Sequence, residues 1–367
     1  MGLRDRYRRF EALSEAERSA MLREDADARR RTALGVIAPL DLTRTTWHEV
    51  PPSAVVDAVT FAARAGLHRY PTDTDELRSQ IARLHHIAAE RIAVGEGASQ
   101  LLAGIARELL SPDDEVLTPW PSYALYPALA QRAGATLVPV PAFDAGALLA
   151  AVTPKTRLLV LCNPNDPTGE LLGEASLRDL LTALPQRVIL VLDEALRDFV
   201  DAEATDAALR LTDNNPRMLV VRTFSKAWGL AGLRCGYVVG GPESGSLLEQ
   251  LAPALGIPEI AQAGVLAALR HGRGTLAART ARVATERRRL TDALRDLPLE
   301  LTPSNANVIW LAAAGLDGAE LAGRLARVKI LVRAGGPLGG PRHVRAALQD
   351  SAATDRLAAA LRDALAG

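Results

Sequence analysis

The sequence predicts an α/β fold: a large domain on a mostly parallel central sheet covered by helices, then a smaller α+β domain. Three observations carry this. From Pro51 to about residue 240, short apolar runs alternate with helix-length segments. The runs are apolar throughout, which suits strands buried on both faces of a parallel sheet. After about residue 245 the pattern changes to a long Arg-rich helical stretch with fewer strands.

In order, the runs read as strands are residues 115–118, 136–140, 157–162, 188–193, 218–223 and 237–240. A helix over 100–110 places Leu101, Leu102, Ile105, Leu109 and Leu110 on one side. Beyond the sheet, the sequence predicts a long helix over 276–297, strands over 306–311 and 330–333, and helices over 317–328 and 354–365. Residues 1–34 are charged throughout and read as a helical arm, with a thin apolar stripe of Leu13, Met21 and Leu22. The resulting division is an arm over 1–45, a large domain over 46–255 and a small domain over 256–367.

Composition narrows the function. Of 367 residues, 48% are hydrophobic, enough for a sizeable core; aromatics are only 4%, so Ala and Leu do most of the packing. The 43 Lys and Arg balance 43 Asp and Glu, which argues against nucleic acid or an anionic membrane as partner. The two cysteines, Cys162 and Cys235, form no disulfide framework, and no spacing suits a metal. No stretch approaches the ~20 apolar residues of a membrane span, and the N-terminus has no signal-type apolar core. A cytoplasmic enzyme of small molecules is the expectation.

Ligands of open α/β sheets bind at the carboxyl ends of the strands. Four features meet there. The run RLLVLC leads into Asn163-Pro164-Asn165-Asp166-Pro167-Thr168-Gly169; VILVLD ends at Asp193-Glu194; MLVVRTF ends at Ser225-Lys226; and Gly95-Glu96-Gly97-Ala98-Ser99 opens a helix whose first N–H groups are free for an anion. Each feature alone is common. Together they supply an anion site, a buried carboxylate and an amine. Pyridoxal phosphate needs all three: donors for its phosphate, an anion for its ring nitrogen and an amine for its aldehyde.

The run from Arg222 to Tyr237, RTFSKAWGLAGLRCGY, resembles the lysine motif of fold-type I, class I/II aminotransferases, nearest the histidinol-phosphate aminotransferase branch. His68-Arg69-Tyr70-Pro71, the GEGAS loop, Pro121-Ser122-Tyr123, the NPNDPTG loop, Asp193-Glu194-Ala195, Val332-Arg333 and His343-Val344-Arg345 follow the same order. The resemblance implies that Lys226 binds the cofactor aldehyde as a Schiff base and later shuttles a proton. It implies that Asp193 pairs with the pyridinium nitrogen and that Tyr123 stacks on the ring. Ser225, Arg234 and the N–H groups of Ala98 and Ser99 would hold the phosphate. Tyr70 would reach the phosphate of a neighbouring subunit, hence a homodimer. Arg345 would clamp the substrate α-carboxylate, with Arg333 a second substrate-binding candidate. The substrates implied are an amino acid or amine and a 2-oxo acid.

Three departures stand out. Asp166 replaces the usual Asn beside the cofactor's phenolic oxygen, and Leu196 replaces the usual Tyr. A carboxylate and an isobutyl group donate no hydrogen bond, which predicts a Schiff base that stays protonated to higher pH, unless Asn165 swings in as a substitute. The pocket-lining N-terminal segment is also unlike the family's: here it is the stretch from Asp41 to Pro52, with Arg44 and His48 as its candidates for an anionic substrate tail.

The alternative within the fold is a decarboxylase or lyase resembling threonine-phosphate decarboxylase, which needs nearly the same residues. A DNA-binding regulator would need a larger N-terminal module. A serine hydrolase would need a Gly-x-Ser-x-Gly elbow, and a dinucleotide-binding enzyme the third glycine that GEGASQ lacks.

Overall fold

A computed structural model describes residue 10 and residues 13–23, 38–71 and 73–366. Of the expected arm, residues 15–23 form a short helix; the remainder up to residue 37, apart from residues 10, 13 and 14, lies outside the described residues.

The central sheet has seven strands: β2 (Ile92–Gly95), β3 (Glu115–Pro119), β4 (Thr136–Val140), β5 (Thr156–Cys162), β6 (Ile189–Asp193), β7 (Met218–Thr223) and β8 (Gly236–Gly240), counting the two-residue Leu40–Asp41 as β1. Their spatial order is β2-β8-β7-β6-β5-β3-β4. All neighbours are parallel except β8, which runs antiparallel to both β2 and β7. Strands β6, β7 and β8 are buried along nearly their whole length, as continuous apolar runs require.

Two apolar layers sandwich this sheet. One gathers Leu159, Leu161, Leu190, Leu192, Val220 and Val239 beneath helices including Asp75–His85 and Glu174–Ala183. The other gathers Leu158, Val160, Val191, Leu219, Val221 and Val238 with Leu101, Leu102 and Ile105 of the helix Ala98–Leu109. Alternate residues of each strand serve opposite layers, as the period of two dictates.

The C-terminal unit is a four-stranded antiparallel sheet, ordered β12-β13-β10-β9 from β9 (Leu299–Thr302), β10 (Val308–Ala313), β12 (Arg333–Ala334) and β13 (His343–Ala347). The helices Arg273–Leu294, Gly318–Arg327 and Ser351–Ala366 accompany it, and its core combines Val283, Leu290, Ile309, Leu311, Leu321, Leu325, Leu357 and Leu361. Asp317 caps its helix by accepting from the Glu320 N–H at 2.7 Å.

Several elements differ from the sequence reading. The helix expected over 276–297 begins at Arg273 and ends at Leu294. The strand expected over 330–333 is two pieces: β11 (Ile330–Leu331) pairs in parallel with β1, while β12 joins the four-stranded sheet. The strand expected over 306–311 is displaced to 308–313. Strand β2, not expected at all, is the edge that carries the GEGAS loop.

The pairing of β1 with β11 has a consequence for the chemistry. Leu42 and Trp47 pack into the C-terminal core, so the segment from Asp41 to Trp47 is held against that unit.

Candidate active site

Register places the chemistry. Cys162 of β5 stands beside Asp193 of β6, and Asp193 beside Val221 of β7, so the loops carrying Asp166, Asp193 and Lys226 leave adjacent strand ends on one edge. On the other side, Thr223 pairs with Gly236 and Gly236 with Gly95, which brings the GEGAS loop alongside the lysine loop. Gly236 permits this approach: a Cβ there would lie 2.8 Å from both the Ala98 nitrogen and the Arg222 oxygen.

A cavity of about 190 Å³ opens at this edge. Among the residues lining it are Ala98, Ser99, Tyr123, Asp166, Asp193, Ser225, Lys226 and Arg234. Eight residues named from the sequence therefore face one space. Tyr70, Arg333 and Arg345 do not line it; Arg345 lies behind Asp166, to which it donates. Tyr70 is 82% exposed and borders a separate hollow of about 720 Å³ between the helices Ser53–Gly66 and Glu259–His271. Arg333 is exposed on β12, opposite Arg345 in the strand ladder.

Asp193 is 2% exposed. Its Oδ2 accepts from the Tyr126 hydroxyl at 2.9 Å and its Oδ1 from the Ala195 N–H at 3.1 Å. Burial raises its carboxyl to about 6; the two hydrogen bonds and the Lys226 charge pull the other way. Lys226 is half-buried, and loss of solvent lowers its ammonium pKa, with the Asp166 carboxylate opposing. Its Nζ donates to the Thr45 hydroxyl.

Tyr123 stands edge-on to Tyr126, ring centroids 5.7 Å apart, and burial raises its phenol. Thr223 Oγ1 donates to Ser225 Oγ at 3.0 Å, which fixes that hydroxyl at the mouth of the loop. Arg234 adopts a left-handed backbone, φ 51°, and donates from Nη1 to the Ala231 carbonyl at 3.0 Å. Gly97 is also left-handed, φ 88°, and a Cβ there would lie 2.7 Å from Arg234 Nη2. Bare backbone is thus needed where the first turn of helix Ala98–Leu109 meets a guanidinium.

Asp166 and Arg345 differ from expectation. Both are buried, and Arg345 Nη1 donates to Asp166 Oδ1 at 2.5 Å. Arg345 Nη2 donates to the Thr43 carbonyl at 2.6 Å, and its buried Nε has no partner. Asn165 does not swing in: its Oδ1 accepts from Ser122 at 2.8 Å, and its Nδ2 donates to the Pro121 carbonyl and to Thr168. Leu196 lines the cavity and packs in the C-terminal core.

In the N-terminal segment, Thr46 lines the cavity and Thr45 meets Lys226, whereas the Arg44 side chain is 80% exposed and sits 4.0 Å from Asp41. Sequence reasoning missed Tyr126, Thr45, Thr46 and Thr223. Thr223 lies in the lysine motif, and Thr45 and Thr46 in the pocket-lining stretch, but nothing in either singles them out; Tyr126 lies one turn beyond Tyr123, a spacing that could have flagged it. Among the described residues no three His, Cys, Asp or Glu side chains gather as a metal cluster, and no helix is long and apolar enough to cross a membrane.

The residues present fit pyridoxal phosphate. Asp193 is a buried carboxylate lining the cavity, and Lys226 is a half-buried amine lining the same space. At the phosphate end a Cβ on Gly236 would press on the Ala98 nitrogen, and one on Gly97 on the Arg234 guanidinium. Fold and site together define a pyridoxal-phosphate-dependent transferase of fold type I. The chain matches the family of class I and II aminotransferases over residues 34–361, and it belongs to that family.

Similar proteins agree. An aromatic amino acid aminotransferase of Corynebacterium efficiens is 37% identical over 314 residues, spanning 84% of this chain and 88% of its own length. That of Nocardia farcinica is 39% identical over 292 residues, 77% of this chain and 81% of its own. The crystal structure of histidinol-phosphate aminotransferase from Sinorhizobium meliloti, in complex with pyridoxal-5'-phosphate, superposes with a TM-score of 0.79 at 28% identity, covering 92% of this chain and 94% of that one. The chain is a pyridoxal-phosphate-dependent aminotransferase.

Proposed function

We propose that this enzyme moves an amino group between an aromatic-type amino acid or amine and a 2-oxo acid, with Lys226, Asp193 and Tyr123 doing the chemistry. The carrying observation is that Lys226 and Asp193 face one cavity from adjacent strand ends. The names of the relatives support an aromatic side chain, and so do the uncharged Thr46, Ala195 and Leu196 around the cavity.

Pyridoxal phosphate supplies, when bound, an aldehyde for the substrate amine and a ring that draws electron density from the reacting carbon. The protein's part is to place charges and move protons. Asp193, held by Tyr126 and Ala195, would present a negative charge to the ring nitrogen and so favour its protonated form. Lys226, with its pKa lowered by burial, offers a free amine and then carries the proton that leaves the substrate carbon. Ser225, Arg234 and the N–H groups of Ala98 and Ser99 would hold the phosphate at a helix N-terminus. Tyr123 would cover one face of the ring.

A test of Lys226 is Lys226→Ala, with the cofactor fixed by borohydride. Wild type should retain cofactor covalently and the variant should not; equal capture would refute the role. We also place the enzyme in a homodimer, in which Tyr70 serves the partner's site. Phe61 and Tyr70, 75% and 82% exposed, border the same open hollow. Sedimentation at the mass of one chain would overturn this.

A further inference from the structure

Lys226, Asp166 and Asp193 line the same cavity, and a fourth ionisable group, Arg345, backs Asp166. Arg345 Nη1 reaches Asp166 Oδ1 from behind the cavity wall. Arg345 and Asp166 already form a closed pair of opposite charges. Had position 166 an amide, Arg345 would keep an unmatched positive charge that an incoming carboxylate could neutralise. Asp166 has already done so.

We propose that Asp166 tunes substrate choice: it competes with substrate carboxylates for Arg345, so α-amino acids and 2-oxo acids bind more weakly than an amide at position 166 would allow, and donor amines whose reacting carbon bears no carboxylate are favoured over the matching α-amino acids. The inference rests on the aminotransferase activity and on the proposed donor class, and its test separates their failures.

The geometry supports this on three counts. First, the pair is buried and short: Arg345 Nη1 reaches Asp166 Oδ1 at 2.5 Å, and Arg345 is 8% exposed. Second, the guanidinium is held from the opposite side by the Thr43 carbonyl at 2.6 Å. A carboxylate prefers two parallel donors, yet the nitrogen left without any partner is Nε alone. Third, both ways of admitting a carboxylate are costly. Displacing Asp166 leaves a buried anion unpaired; seating beside it puts two anions on one guanidinium. An amine without a carboxylate meets neither obstacle.

The experiment compares L-phenylalanine with 2-phenylethylamine, which differ only by the carboxylate, on cofactor-loaded wild type and Asp166→Asn. Because an amide at position 166 would also touch the cofactor, the readout is the ratio: the Asn variant should lower KM for phenylalanine relative to that for 2-phenylethylamine by about tenfold or more, as relief of a like-charge contact implies. In parallel, calorimetry of 3-phenylpropionate, a carboxylate with no amine, should show about tenfold tighter binding to the variant. An unchanged ratio of the two KM values, or weaker carboxylate binding by the variant, overturns the proposal. Calorimetry decides the matter even where neither donor is turned over, an outcome that would count against the donor class alone. Should the Asn variant not fold, Asp166→Ala must tighten 3-phenylpropionate in the same direction; weaker binding again overturns it.

Discussion

Asp193→Asn should make the cofactor-free protein more stable at neutral pH while weakening its hold on the cofactor. Burial raises the Asp193 carboxyl from 3.8 to about 6. A carboxyl whose folded pKa lies above its unfolded one is favoured by folding in its protonated form. The cost of ionising it is therefore absent below the unfolded value, grows as pH rises, and is complete above about 6. A shift of roughly two units corresponds to about 3 kcal/mol at pH 8 and about half that at pH 5. Asparagine removes that cost but keeps one acceptor oxygen, so one of the bonds from Tyr126 and Ala195 is lost, about 1 kcal/mol. The net gain is about 2 kcal/mol at pH 8, or about 3 °C in melting temperature for a chain of this length, and close to nothing at pH 5. The assay is thermal melting of cofactor-stripped wild type and variant between pH 5 and 8. A variant less stable than wild type at pH 8, or a gap that does not close as pH falls, would refute the reasoning. With cofactor bound the sign reverses, because the pyridinium makes the Asp193 charge favourable.

Two further substitutions probe the same wall. Tyr126→Phe removes the hydroxyl that lowers Asp193, so Asp193 should keep its proton to still higher pH; loss of a charge-assisted hydrogen bond implies about tenfold weaker cofactor binding at pH 7 by equilibrium dialysis, and an unaltered Kd would count against it. Gly97→Ala puts a Cβ against Arg234 at a left-handed position, which should cost about 1–3 kcal/mol in backbone strain and lower phosphate affinity more than it lowers the melting temperature. Equal inorganic-phosphate binding by wild type and variant would show that Gly97 is not part of the cradle.

The large sheet was legible because its strands are buried on both faces: an apolar run such as residues 188–193 has no other stable place to go, and the polar residues ending such runs mark the ligand edge. The lysine, the carboxylate and the glycine loop were legible for the same reason, since each terminates an element whose position the sheet already fixes. Strand β2 was not, being four residues at an edge. The split of residues 330–333 was hidden too, because Ile330–Leu331 pairs with a two-residue strand nearly 300 positions upstream, a contact no local periodicity can reveal.

The same non-local pairing explains what the site concealed. The β1–β11 pair anchors the segment after residue 41, and that anchoring presents the Thr43 carbonyl to Arg345 and the Thr45 hydroxyl to Lys226. Asp166 was visible as a departure, and its chemistry alone said that a carboxylate donates nothing to a phenolic oxygen. What it does instead depends on β13 bringing Arg345 to the loop after β5, 179 positions away in sequence. Spacing within a motif predicts which residues meet a cofactor held at one sheet edge. It does not predict which residue of another unit a substituted side chain will find, because that partner is chosen by tertiary packing and by the cost of leaving either charge buried alone.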